Sequence, residues 1–317
     1  MNPPDLIQPG EQHAQRVIVT GGASGVGYET ARAMVLAGAE VLIADVDYAR
    51  AEHVTRALRQ ETADARVSSA EINLADLNSI HRFCQKQLYQ GQPLSVLFNN
   101  AGIQPLSNRR ETVDGFELAF GIGHLGHFAL TARLLPLLLQ CKSPRVVTTS
   151  SLIHRRGRID PDDLQITRGY DAQRAYNQTK LANLLFAREL QRRSTLSNSH
   201  LLSFAAHPGV AKTAIGSNRQ RHGPLRWQDH LVGLTLSVVM PLLGQDAAKG
   251  ALPLLHAATA RGIEPGILYG PAGFGEMKGL PAPARMAPAA TDGALADWLW
   301  RRSEELCKVD FHWPVSA

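Results

Sequence analysis

A chain of 317 residues with 44% hydrophobic and 19% charged residues has ordinary globular composition and apolar material for a large core. The net charge of +5 rests on scattered arginines. The tightest group, Arg155, Arg156 and Arg158, lacks the length and interleaved aromatics of a nucleic-acid-binding stripe and reads as a solvated loop. Cys84, Cys141 and Cys307 form no CxxC or Cys/His cluster, so neither a metal site nor a disulfide framework is expected, and a reducing cytoplasmic setting fits best.

Met1–Gln12 is polar and lacks the apolar core of a signal peptide. The longest apolar run, Leu231–Leu243, is too short to span a bilayer and contains Pro241, so no membrane span is expected.

Short apolar runs recur along the chain: Arg16–Thr20, Glu40–Ala44, Arg66–Leu74, Ser95–Phe98, Arg145–Thr149, His200–Ala205 and Gly266–Tyr269. Most are continuously apolar, the pattern of strands covered on both faces. Helical stretches such as Gly25–Ala37 and Tyr176–Arg193 fall between them. This alternation predicts an α/β fold: a doubly wound, Rossmann-type, mostly parallel sheet in one domain over 15–317, after an N-terminal tail at 1–14. Two segments break the rhythm. Residues 214–244 mix polar, proline and apolar residues and are read as a lid over a pocket. Residues 272–317 form a C-terminal extension rich in Pro, Ala and Gly, with a helix expected around Asp292–Leu306.

The turn Thr20-Gly21-Gly22-Ala23-Ser24-Gly25-Val26-Gly27 follows a predicted strand and opens a predicted helix. Gly21 permits a tight turn, Gly25 lets backbone approach a pyrophosphate, and Gly27 lets the helix pack on the strand. The helix N-terminus offers N–H groups and a positive dipole end to phosphates, so Gly21, Ser24, Gly25, Val26 and Gly27 are candidate dinucleotide contacts. Asp45 ends the next strand, where a carboxylate accepts hydrogen bonds from adenosine ribose hydroxyls and repels a 2′-phosphate. Val46 and Asp47 follow it rather than an arginine. The expected cofactor is NAD(H) in preference to NADP(H).

Four further motifs follow in order: Asn99-Asn100-Ala101-Gly102, Ser150-Ser151, Tyr176-Asn177-Gln178-Thr179-Lys180, and His207-Pro208-Gly209-Val210-Ala211-Lys212-Thr213. With the glycine turn, these make the chain resemble the short-chain dehydrogenase/reductase family from about Gln15 to Pro271. His124-Leu125-Gly126-His127-Phe128 and Lys180-Leu181-Ala182-Asn183 look most like its retinol-dehydrogenase-like branch. The resemblance implies that Asn100, Ala101 and Gly102 lie along the adenosine side and that Asn73 and Leu74 meet the adenine. It places Val210 and Thr213 at the nicotinamide end and Lys180 on the nicotinamide ribose. Homo-oligomers pairing through helices like Tyr176–Arg193 are common in the family and are the expectation here.

The chemistry can be argued from the residues. Tyr176 and Lys180 lie one turn apart on a helix and share a face. A free phenol, with a pKa near 10, is a poor base at neutral pH, and a nearby ammonium is expected to lower that value. Tyr176 then exchanges a proton with the substrate oxygen, and Ser151 at a strand end hydrogen-bonds the same atom while hydride moves to or from the nicotinamide. The substrate is a small molecule, expected to be a fairly large apolar alcohol or ketone. Reduction of an activated double bond or quinone would use the same site.

Gly123 departs from the family pattern, which usually has asparagine before a segment like His124–Phe128; that asparagine helps hold a water linking the lysine to solvent. Impaired turnover in a cofactor-binding protein is therefore an alternative. Gly121 and Gly123 each also cost about 1 kcal/mol in a predicted helix, a cost that close packing or a ligand could offset. His124 reads as a packed histidine, and His207 as part of a turn with no chemical role.

Overall fold

The computed structural model describes residues 15–62, 64–104, 106–210 and 245–313. The expected N-terminal tail, the lid at 214–244, the run Leu231–Leu243 and Thr213 lie outside the described residues.

Eight strands form one sheet: β1 (Arg16–Thr20), β2 (Glu40–Asp45), β3 (Val67–Glu71), β4 (Val96–Asn99), β5 (Arg145–Thr149), β6 (Leu202–Ala206), β7 (Leu268–Pro271) and β8 (Pro281–Pro283). Their order is β3-β2-β1-β4-β5-β6-β7-β8. The first seven pair in parallel, with Val17 opposite both Val41 and Val96. The seven predicted runs all become strands. β3 stops short of its apolar run because Asn73 turns the chain, its Oδ1 accepting from Ala75 N at 3.0 Å. β8, which no periodicity announced, pairs antiparallel with β7 at the edge, where prolines need not complete a ladder.

Helices α1 (Gly25–Leu36), α2 (Tyr48–Glu61) and α6 (Ala247–Thr259) cover one face. Helices α3 (Leu77–Gln90), α4 (Leu118–Leu138), α5 (Ala172–Leu196) and α7 (Gly293–Cys307) cover the other. Aspartates start several of them: Asp47, Asp76, Asp171 and Asp292 each accept a backbone N–H of the first turn. β1 and β4 are neighbours with β2 and β3 on the far side of β1, so the sheet winds both ways from this point. Crevices for ligands open at the carboxyl ends of strands there.

Helix α4 is long and apolar enough to cross a membrane by length and composition, but 83% of its apolar window is buried inside the fold, as in a core helix. A π-helical turn, Gly121–Leu125, interrupts it. The expected cost of two helical glycines is offset by packing, since a Cβ on either would overlap a threonine methyl, Thr112 or Thr179.

The C-terminal extension is a working part of the core. Trp300 of α7 stacks on Phe186 of α5 with centroids 5.8 Å apart and meets Phe128 of α4 edge-on at 5.0 Å. The Arg193 guanidinium lies 4.7 Å from the Trp300 ring centroid and donates to Asp297. The part of α5 carrying Phe186 and Arg193 is thus covered by α7 of the same chain. Arg155 is more than a solvated cation: it donates to the Glu276 carboxylate and the Arg285 carbonyl. Cys84 and Cys307 are buried thiols pushed up to about 12 by burial, and all three cysteines are unpaired.

Candidate active site

A cleft of about 880 Å³ opens at the carboxyl ends of the central strands. It is within the size range of small-molecule sites. The glycine turn (Gly21, Ser24, Gly25, Val26 and Gly27), Asp45, Asn73 and Leu74 line it. So do Asn100, Ala101 and Gly102, and Ser151, Tyr176, Lys180 and Val210. Every candidate site residue within the described chain therefore meets in one place.

The glycine turn is built for close approach. A Cβ on Gly27 would overlap the Gly21 carbonyl and lie 2.5 Å from Asn100 Nδ2. Ser24 precedes α1 in extended conformation and its side chain makes no capping bond, so the first N–H groups of the helix face the cleft without a side-chain partner. These features fit the pyrophosphate of a dinucleotide. Asp45 supports the turn as well: its Oδ2 accepts from Ala23 N at 3.2 Å and its Oδ1 from Asp47 N at 3.0 Å. Asn73 keeps one acceptor lone pair beyond its bond to Ala75, and Arg50 lines the same cleft.

Asn100 Nδ2 donates to the Thr20 carbonyl at 2.9 Å, and the Asn100 and Ala101 N–H groups both donate to Thr20 Oγ1, at 2.9 and 3.1 Å. The 100–102 loop then extends past the adenosine side assigned to it by resemblance. A Cβ on Gly102 would sit 3.6 Å from Lys180 Nζ, so this loop reaches the Tyr176–Lys180 turn.

The two serines of Ser150-Ser151 separate clearly. Ser150 Oγ donates to the Lys180 carbonyl at 2.8 Å and is buried, while the Ser151 hydroxyl has no hydrogen bond among the described residues and lines the cleft. Lys180 Nζ donates to the Thr149 carbonyl at 3.2 Å and lies 5.7 Å from the centroid of the Tyr176 ring. Asn183 Nδ2 donates to the same Thr149 carbonyl at 3.0 Å.

Electrostatics at the pair differ from the sequence expectation. Burial pushes the Tyr176 phenol up to about 12 and the Lys180 ammonium down to about 8. The ammonium is turned to Thr149 and the ring face, so desolvation of the phenolate outweighs its attraction.

The turn after β6 is held by a carboxylate distant in sequence. His207 Nε2 lies 3.2 Å from Glu276 Oε2, and Glu276 Oε1 accepts from Arg285 N at 3.1 Å. Val210 N donates to the Met277 carbonyl at 2.9 Å. Burial lowers His207 to about 4, so its ring is neutral at neutral pH, and its Nδ1 accepts from Gly209 N at 3.2 Å within the turn. Glu276 gave no sequence signal, because its contacts join residues some 70 positions away. Asn183 could have been found, since it falls on the same helical face as Tyr176 and Lys180.

His124 is packed among Phe120, Phe128 and Phe186, its Nε2 2.9 Å from Ser303 Oγ, and it makes no contact with the cleft. Burial lowers it to about 3. Among the described residues no group of three or more His, Cys, Asp or Glu side chains could hold a metal.

A doubly wound sheet with a glycine turn at its switch point and Ser, Tyr and Lys side chains gathered beyond it defines a dinucleotide-binding oxidoreductase. The short chain dehydrogenase family model matches residues 15–223. Mouse (Mus musculus) retinol dehydrogenase 14 is 35% identical over 313 residues, covering 95% of this chain and 88% of its own. The crystal structure of an uncharacterized protein from Mycobacterium Paratuberculosis superposes with a TM-score of 0.77 at 36% identity, covering 98% of this chain and 99% of that one. A short chain dehydrogenase/reductase from Burkholderia phymatum, solved in complex with NAD, shares the fold at a TM-score of 0.62 and 17% identity, covering 96% of this chain and 98% of that one. The chain belongs to the short-chain dehydrogenase/reductase family, in its retinol-dehydrogenase-like branch, and is an oxidoreductase of that family.

Proposed function

We propose that this enzyme interconverts an alcohol and its carbonyl compound using NAD(H), on a substrate with a sizeable apolar body. The observation that carries the reading is the division of labour at Ser150-Ser151. Ser150 is committed to the Lys180 carbonyl, and the uncommitted Ser151 hydroxyl shares the cleft with Tyr176 and Lys180.

A bound nicotinamide dinucleotide supplies the hydride donor or acceptor. The chain's residues do the rest. Ser151 donates a hydrogen bond to the substrate oxygen and fixes its place. Tyr176, raised to about 12, is protonated at neutral pH and delivers its proton to a carbonyl oxygen as hydride arrives at carbon. In the oxidative direction the phenol must first give its proton to solvent, and the phenolate, stabilised by the Lys180 charge, then receives the proton from the alcohol. Lys180, lowered to about 8, still carries its charge on most molecules at neutral pH and stabilises the phenolate left after transfer. Ile103, Ile122, Leu152 and Ile153 line the cleft and favour an apolar substrate.

Preference for NAD(H) rests on Asp45 at the end of β2, where its charge opposes a 2′-phosphate. Tyr176→Phe is the direct test of the activity. Turnover of an apolar ketone or aldehyde by NADH should fall about 10²–10⁴-fold while NADH binding is retained. Turnover unchanged in Tyr176→Phe would overturn the mechanism.

A further inference from the structure

Gly123 is buried in the π turn of α4, against the catalytic helix α5. Its neighbour there is Thr179, which stands between Tyr176 and Lys180. A Cβ placed on Gly123 would lie 2.6 Å from Thr179 Cγ2, the sole atom outside its own turn within 4 Å among the described residues. Carbon atoms do not pack that closely, so any side chain at 123 requires something to move. Thr179 resists turning away. It is 2% exposed, and its Oγ1 donates to the Ala175 carbonyl at 2.8 Å. A β-branched side chain in a helix has few other rotamers.

The π turn also connects to the loop that lines the cleft at Asn100 and Ala101. The Gly123 carbonyl accepts from His127 Nδ1 at 3.0 Å, His127 Nε2 lies 2.9 Å from Thr20 Oγ1, and Thr20 Oγ1 holds the Asn100 and Ala101 N–H groups. A displacement at Gly123 therefore has two outlets: through Thr179 to the Tyr176–Lys180 turn, and through His127 to the loop lining the cleft.

We propose that Gly123 and Thr179 are a size-matched positioning pair, in which the Thr179 methyl takes the space of a side chain at 123 and fixes the Tyr176–Lys180 turn against the turn that carries the cofactor loop. Neither residue touches the reacting atoms. The consequence runs against the simplest repair of the family pattern: placing asparagine at 123 alone impairs this enzyme, and Thr179→Ser is the change that makes room for it. The kinetic part of the inference rests on the proposed activity, whereas its packing part does not.

The test compares Gly123→Ala, Thr179→Ser, the Gly123→Ala/Thr179→Ser pair and the Gly123→Ala/Thr179→Val pair. Serine keeps the hydroxyl and removes the methyl; valine keeps a methyl and removes the hydroxyl. Thermal midpoint, NADH affinity by fluorescence, and the pH profile of kcat are read for each. Gly123→Ala should lower kcat/KM at least about tenfold, lower the thermal midpoint and displace the pH profile. Thr179→Ser alone leaves the space of the methyl unfilled and should lower the thermal midpoint and reduce kcat/KM about fivefold, whereas the serine pair should recover to within about twofold of the parent, with the parent pH profile. The valine pair should not recover. The proposal is overturned if Gly123→Ala behaves like the parent, if serine fails to rescue it, or if valine rescues it equally well. If Gly123→Ala does not fold, the folded state must return in the serine pair and not in the valine pair. If the parent shows no turnover, the proposed function fails, and the thermal midpoints still decide the packing claim.

Discussion

His127 Nε2 lies 2.9 Å from Thr20 Oγ1, joining the middle of α4 to the first residue of the glycine turn. The proton count fixes its direction. The Gly123 carbonyl can only accept, so His127 Nδ1 carries the hydrogen. Burial holds this ring neutral by lowering it to about 4, so Nε2 is an acceptor, and it shares the single Thr20 hydroxyl hydrogen with the Phe98 carbonyl 3.0 Å away. Thr20 Oγ1 keeps both lone pairs for the Asn100 and Ala101 N–H groups.

Thr20→Val should therefore strand two backbone donors and a ring nitrogen at once. We expect NADH to bind at least about tenfold more weakly and stability to fall by about 2 kcal/mol. Titration of NADH fluorescence and urea unfolding check both. Unchanged affinity would show that the cofactor loop is held by other contacts.

Ser150 and Ser151 should respond differently to alanine. Ser151→Ala should lower kcat about 10²-fold with NADH affinity and unfolding midpoint near those of the parent. Ser150→Ala removes a buried hydrogen bond to the Lys180 carbonyl and should cost about 1 kcal/mol of stability. The reverse pattern would exchange the two roles.

Asp45→Ala should narrow the preference for NADH over NADPH and also lower the thermal midpoint, because Ala23 N and Asp47 N lose their acceptor. Dissociation constants for both dinucleotides in parent and variant test this. Equal affinities in the parent would remove Asp45 as the selecting group.

Acid should unfold the protein through its buried histidines. Burial lowers His124 to about 3 and His127 and His207 to about 4, from an ordinary value of 6.5. Between these values the unfolded chain binds more protons than the folded one. The stabilisation is complete above pH 6.5 and is lost as pH falls from there toward 4, at up to about 1 kcal/mol per histidine per pH unit. Urea midpoints at pH 7.0, 6.0 and 5.0 should fall in sequence, and a flat profile over that range would mean that these rings accept protons in place.

Much of the molecule was legible because its signals are local. Continuous apolar runs give strands covered on both faces, and Arg16–Thr20 and Arg145–Thr149 emerge with the bounds their patterns predict. The glycine turn, Asp45 at a strand end, and the spacing of Tyr176 and Lys180 follow from geometry that one strand or one helix imposes. Sequence alone therefore determined a parallel α/β fold with a dinucleotide turn and a Tyr/Lys pair on one helical face.

Tertiary structure decided what depends on residues far apart. Which serine stays uncommitted is set by Lys180, 30 positions beyond Ser150. The upward shift of Tyr176 arises from burial that no spacing rule contains. The hold of Glu276 on His207, the cover that Trp300 gives α5, and the fit of Gly123 to Thr179 all join separate elements. Periodicity reports which face of an element is buried. It does not report what lies against that face, and hydrogen bonding, desolvation and steric fit are settled by that neighbour.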